Sequence, residues 1–352
     1  MKQLFQPEKL ITEMLNLSRE AVEGMQTLGK MDGVEVDTTP WESIYQQDKL
    51  RLRYYAPSQP RLKTPLLIVY ALVNRPYILD LQPDRSLIAA LLQRGIPVYL
   101  IDWGYPDHAD RFIDLDDYLN DYLHQCVRQV CQHAGTPQTN LLGVCQGGTF
   151  SLCYSAIHPQ QIRNLITLVT PVDFHTADNT LSGLARDVDA QLALDTYGNF
   201  PGSLMTRAYN SLMPMRLGLH KELNLPRQLN QHQTAANYLR MERWINDSPD
   251  LAGSAFKEFL QQFFQQNRLV TGGLTIGSHS VDLQQQQQPL LNLFAAGDHL
   301  VPPSASQALA KLTGSKDYTE KEYPGGHIGV FVGRQAQKVL PDDISNWLKQ
   351  RD

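Results

Sequence analysis

No apolar run in this chain is long enough to cross a bilayer. The longest, Pro65 to Val73, falls far short of the roughly 20 residues a membrane helix needs. The first thirty residues hold no apolar core of the signal-peptide kind, so no secretory leader is expected. Basic blocks are absent and the net charge is −5, which argues against an electrostatic nucleic-acid surface. Cysteine is scarce. The four present (Cys126, Cys131, Cys145, Cys153) form no C-x-x-C pair and have no histidines at zinc-site spacing, so neither a disulfide framework nor a metal ribbon is indicated. A reduced, cytoplasmic protein without a metal or cofactor is the expectation. No internal repeat is found.

What is present suits a buried α/β core. Hydrophobic residues make up 42% of 352 and charged residues 19%. Near-continuous apolar runs of the kind found in strands buried on both faces occur at residues 65–73, 97–101, 140–144, 162–169 and 289–296. Helical spacing between them (86–94, 115–131, 149–157, 304–312) predicts a mainly parallel sheet with right-handed crossovers. A further strand is expected at 317–323, alternation at 45–55 suggests peripheral strands, and Pro7 to Gly29 has helical spacing. Residues 175–283 break the rhythm with scattered Met, aromatic and Pro residues and helical stretches at 233–245 and 254–264. They read as a mostly helical cap inserted into the core. The expected organisation is a first core part with an N-terminal extension (1–174), the cap (175–283) and a second core part (284–352). The glutamine run 284–288 reads as a polar surface connector.

The segment Gly143-Val144-Cys145-Gln146-Gly147-Gly148 stands where an apolar strand meets an apolar helix. This is the layout of a nucleophile elbow. The following helix would aim its free N–H groups and the positive end of its dipole at Cys145. The Gln146 N–H would supply half of an oxyanion hole. A lone cysteine among apolar residues is often simply packed, so the rest of the chain must decide. Asp298, in Gly297-Asp298-His299, and His327, in Gly325-Gly326-His327, end the last two core strands, where ligand sites of open α/β sheets lie. Nucleophile, acid, histidine is the chain order of the α/β-hydrolases. Asp173 and Asp102 also follow strands and compete as the acid, Asp173 the more strongly. His158, His175 and His299 compete less well with His327. The loop after the 65–73 strand would give the second oxyanion donor, for which the Val73 N–H is the candidate.

Cysteine as nucleophile suits a thioester substrate. Exchange of thiol for thiol is near balance, and the acyl group stays activated on Cys145 for transfer to an alcohol. Acyl transfer from a coenzyme A thioester therefore fits better than hydrolysis.

Asn74-Arg75-Pro76-Tyr77-Ile78-Leu79-Asp80-Leu81-Gln82-Pro83, Leu100-Ile101-Asp102-Trp103-Gly104-Tyr105-Pro106-Asp107 and the elbow resemble the poly(3-hydroxyalkanoate) synthases, as do Ala296-Gly297-Asp298-His299 and Gly325-Gly326-His327. The resemblance covers about residues 40–350, and the short chain looks like the class III catalytic subunit. It implies Cys145 as acyl carrier, His327 as its base and Asp298 as partner acid. The substrate would be (R)-3-hydroxyacyl-CoA, 3-hydroxybutyryl-CoA foremost, and a growing polyester chain the acceptor. A second, non-catalytic subunit, a homodimer or higher oligomer, and a cytoplasmic location at polymer granules are implied as well. A thioesterase or carboxylesterase of the same fold, or a non-catalytic granule-associated protein, are the other readings. The cap matches less clearly. Its Arg207, Arg216, Arg240 and Arg243 are the available cations for the coenzyme A phosphates.

Overall fold

The apolar runs fold into one eight-stranded sheet in the computed structural model, which describes residues 34–212 and 232–352 together with Arg19 and Thr27. In chain order the strands are β1 (Glu42–Gln47), β2 (Leu50–Tyr55), β3 (Leu66–Val69), β4 (Val98–Asp102), β5 (Thr139–Val144), β6 (Ile162–Leu168), β7 (Leu290–Ala295) and β8 (Tyr318–Tyr323). They lie side by side as β1-β2-β4-β3-β5-β6-β7-β8. The two peripheral strands form an antiparallel hairpin at one edge, and every pairing from β4 to β8 is parallel. Side chains of β3, β4, β5 and β7 are buried throughout, as expected for strands covered by helices on both faces.

The crossover helices are Leu87–Gln93, His124–Ala134 and Gln146–Ile157. Ser86 caps the first, its Oγ accepting from the Ala89 N–H at 2.9 Å. The second ends at Gly135 in the left-handed region (φ 66°), and its lead-in Asp117–Leu123 is wound as a π-helix. Two expectations need correction. The run 65–73 leaves the sheet at Val69 while Tyr70 to Leu72 stay buried, because the chain bends at residues 72–74 and Asn74 takes a left-handed backbone (φ 57°) that hydropathy does not encode. The glutamine run is only partly a surface connector. Gln286 and Gln288 are buried, with the Gln288 amide donating to the Pro159 carbonyl at 2.8 Å. The helical spacing at 7–29 lies outside the described residues, apart from Arg19 and Thr27.

Between β6 and β7 the described residues form mainly helices: Thr180–Ala185, Ala190–Tyr197, Gly202–Ser211, His232–Asn246 and Gly253–Phe259, the last running into a π-helical turn at Leu260–Gln265. Phe174, Phe259, Phe263 and Phe264 pack edge-to-face and stacked where this layer meets the core.

A buried ionic chain ties the sheet edge to the loop after β3. Asp102, at the end of β4, accepts from Arg75 at 2.6 and 2.9 Å and from Arg53, which also pairs with Asp37. Arg53, Arg75 and Asp102 are each less than a tenth exposed. Removing one partner of such a set strands the others without water. Asp102→Ala should therefore cost about 3–5 kcal/mol of stability, measurable as a lowered denaturant midpoint. A midpoint unchanged from wild type would mean that the two guanidinium groups find other partners.

Candidate active site

The elbow forms as the sequence suggests. Cys145 sits between β5 and the helix Gln146–Ile157 with φ 54° and ψ −125°, a conformation costly for any residue with a Cβ. Its amide donates to the Leu168 carbonyl of β6 at 2.9 Å, which fixes the turn. The helix can approach this closely only because of glycine. A Cβ on Gly147 would collide with the Val69 carbonyl, and one on Gly148 with the Thr170 side chain. Gln146 opens the helix, where the first N–H groups have no partner in the helix itself.

Asp298 and His327 are brought together by the parallel pairing of β7 with β8, and the loops that follow are joined by the Gly297 N–H donating to the Gly325 carbonyl at 2.8 Å. His327 Nδ1 and Asp298 Oδ2 are 2.7 Å apart. The other carboxylate oxygen accepts the Leu300 and Val301 amides, each at 2.9 Å, so the acid is held in one orientation. Both side chains are nearly out of contact with solvent. Cys145 and His327 line the same cavity, and the sulfur is near enough to the ring to shift its pKa. With Nδ1 engaged, Nε2 is the nitrogen left for the sulfur. Burial pulls the imidazolium down, but Asp298 and Cys145 on either side more than offset it, and the His327 pKa is raised well above its ordinary value.

The rival acids have other partners. Asp173 Oδ1 accepts from Asn267 Nδ2 at 2.9 Å and from the His175 amide at 2.8 Å, so it anchors the inserted segment. Asp102 is taken up by Arg53 and Arg75. Of the rival histidines, His158 packs against His124, Tyr154 and His279, and burial with those neighbouring histidines lowers its pKa to about 4. His175 bonds to the Phe264 carbonyl, and only His299 shares the cavity described next.

Cys145 opens into a cavity of about 560 Å³ between core and insertion. Leu72, Val73, Phe174, Phe256, Phe259 and His327 line it, with Tyr209 and Trp244 on the insertion side. No lysine or arginine among the described residues does. Arg240 and Arg243 are used elsewhere: Arg240 donates to the Glu35 carbonyl at 2.8 Å, and Arg243 to the Val34 carbonyl at 3.1 Å. Arg207 is exposed, and Arg216 lies outside the described residues. The Val73 amide, the expected second oxyanion donor, makes no hydrogen bond to any described residue, whereas the neighbouring Leu72 N–H donates to the Gln146 side chain at 3.0 Å. That last contact was not foreseen from the sequence, although Gln146 itself was named for its backbone. Among the described residues no group of three or more His, Cys, Asp or Glu is placed to share a metal ion, and no helix is long and apolar enough to cross a membrane.

A family model described as the alpha/beta hydrolase fold matches residues 64–334, and one described as the N-terminus of poly-beta-hydroxybutyrate polymerase matches residues 10–91. The chain is 50% identical over 351 residues to the poly(3-hydroxyalkanoate) polymerase subunit PhaC of Allochromatium vinosum, covering 98% of each. It is 44% identical to the protein of that name from Synechocystis sp., covering 98% of this chain and 94% of the other. Among solved structures it is similar to a soluble variant of monoglyceride lipase from Saccharomyces cerevisiae (TM-score 0.56, 13% identity, 90% of this chain and 96% of that one). A thermophilic esterase from Thermogutta terrifontis is also similar (TM-score 0.51, 15% identity, 88% and 98%). The two structures bear on the fold alone.

Proposed function

The chain belongs to the poly(3-hydroxyalkanoate) polymerase family, within the α/β-hydrolase superfamily, and we propose that it polymerises (R)-3-hydroxyacyl-CoA, 3-hydroxybutyryl-CoA foremost, through an acyl-Cys145 thioester. The observation that carries this reading is a cysteine, not a serine, at a strained elbow beside the His327–Asp298 pair, inside an apolar cavity. Sγ of Cys145 attacks the thioester carbonyl while His327 holds the thiol proton. The C–S bond to coenzyme A breaks, and His327 returns the proton to the leaving thiolate. The hydroxyl of a second monomer or of the growing chain then attacks acyl-Cys145 and gives its proton to His327, with Asp298 stabilising the imidazolium. The new ester forms and the Cys145 sulfur is released. Both tetrahedral intermediates place their oxyanion between the Gln146 and Val73 amides. No cofactor is needed, since the thioester supplies the driving force.

The apolar lining favours a polyester hydroxyl over water as acceptor. It also leaves the coenzyme A phosphates to groups outside the cavity. A second, non-catalytic subunit, assembly into a homodimer or higher oligomer, and a place in the cytoplasm at polymer granules complete the reading.

Purified chain mixed with 3-hydroxybutyryl-CoA should release free thiol and form polymer together, weakly and after a lag. A co-expressed partner subunit should remove the lag and raise the mass seen by light scattering. Thiol release with free acid and no polymer would assign a thioesterase instead. No acylation of Cys145 at all would assign a non-catalytic role. Full, lag-free polymerisation unaffected by the partner would remove the second subunit from the reading.

A further inference from the structure

The loop that bears Val73 is joined directly to the inserted layer. Asn74, in the left-handed region, sends its side-chain Nδ2 to the Trp244 carbonyl at 3.2 Å, with the Ile245 carbonyl at 3.5 Å. These are among the last carbonyls of the helix His232–Asn246, the groups a helix cannot satisfy within itself. In return the Trp244 indole N–H donates to the Arg75 carbonyl at 2.8 Å. Just past the end of the helix, Asp247 accepts from the hydroxyls of Tyr77 at 3.0 Å and Tyr105 at 2.7 Å. On its core side the same loop is fixed by the Gln146 side chain at Leu72 and by the Asp102 carboxylate at Arg75. Val73 thus lies between one clamp from the elbow and another from the end of an inserted helix.

We infer that Asn74 is a positioning residue for the oxyanion hole: by capping the helix His232–Asn246 it makes the placement of the Val73 amide depend on where that helix is seated. This rests on the proposed role of Val73 and Cys145. An oxyanion donor displaced by even a fraction of its bond length loses most of its effect on a developing negative charge, while steps that develop no such charge are indifferent to it.

That difference supplies the test. Alkylation of Cys145 by iodoacetamide is a displacement at carbon and forms no tetrahedral oxyanion, whereas acylation by 3-hydroxybutyryl-CoA does. Asn74→Gly keeps the left-handed backbone and removes the amide. Its single-turnover acylation rate should fall about 10- to 100-fold, with alkylation and the midpoint of thermal unfolding near wild type. Asn74→Asp, which turns an acceptor towards two carbonyls, should fall at least as far. Trp244→Phe, which keeps an aromatic ring but loses the indole donor and some volume, should fall less but in the same pattern. Unchanged acylation in Asn74→Gly would overturn the inference, and so would a parallel loss of alkylation, which would mark a general disturbance of the pocket. Failure of the underlying reading looks different: the wild-type chain itself would then show no acylation at Cys145.

Discussion

Cys145→Ala should fold like the wild type and release coenzyme A at least about 10⁴-fold more slowly, since removing a covalent nucleophile removes the path itself and not a fraction of its rate. The thiol is partly buried, packed on one side against the core and lining the cavity on the other, so its loss should cost no more than about 1–2 kcal/mol. Intact-mass measurement after mixing with 3-hydroxybutyryl-CoA should find an acyl adduct on the wild type and none on the variant. The other cysteines supply the control. Cys126 and Cys153 are fully buried, and burial pushes the Cys153 thiol up to about 12 and the Cys126 thiol further. Burial raises Cys131 as well. Alanine or serine at these three should preserve acylation, within packing costs of about 1–3 kcal/mol. Brisk thiol release by a folded Cys145→Ala protein would dismiss the assignment.

The second large effect separates the two partners of that sulfur. His327→Ala removes the group that receives the thiol proton, and acylation should slow by about 10²- to 10⁴-fold. Asp298→Asn keeps the shape of the contact but not its charge. Acylation should survive better than elongation, because the incoming hydroxyl is a far weaker acid than a thiol and depends more on a strong base. Acyl-Cys145 should therefore accumulate and be visible by mass. The charge also has a titration signature. Asp298 is the foremost group holding the His327 proton against burial, so in Asp298→Asn the pH at which His327 deprotonates should move down, as read from the pH dependence of Cys145 alkylation. Were Asp173→Asn to trap the acyl-enzyme while Asp298→Asn did not, the acid would pass to Asp173, despite its engagement with Asn267.

Much of this site was legible because its signals are local. The elbow announces itself by two glycines after an apolar strand, and Asp298 and His327 by the turns that end two further strands. Buried parallel strands have no polar face, so their hydropathy alone marked β3 to β7. What stayed hidden depends on pairs far apart in the chain. Asp298 was favoured from its own turn, with Asp173 in reserve, but what occupies Asp102, the two guanidinium groups of Arg53 and Arg75, shows only in the fold. Asn74 was quoted as part of a motif, but its partners stand about 170 positions later, beyond the reach of any periodicity. The glutamine run misled for a similar reason: composition reports polarity, not whether a carbonyl such as that of Pro159 waits for an amide.

The crowding around the elbow glycines has a consequence for any survey of substitutions read out by cell phenotype. Gly147 and Gly148 take part in no bond-making step, yet a methyl group on either meets backbone or a fixed side chain. Changes there should be lost as protein, through degradation of chains that cannot close the turn. Changes at Cys145 should accumulate normally and do nothing. Scored by polymer content alone, the three positions would look equally indispensable. Scored by polymer per molecule of soluble chain, they would fall into two groups, one essential for being made and one for working.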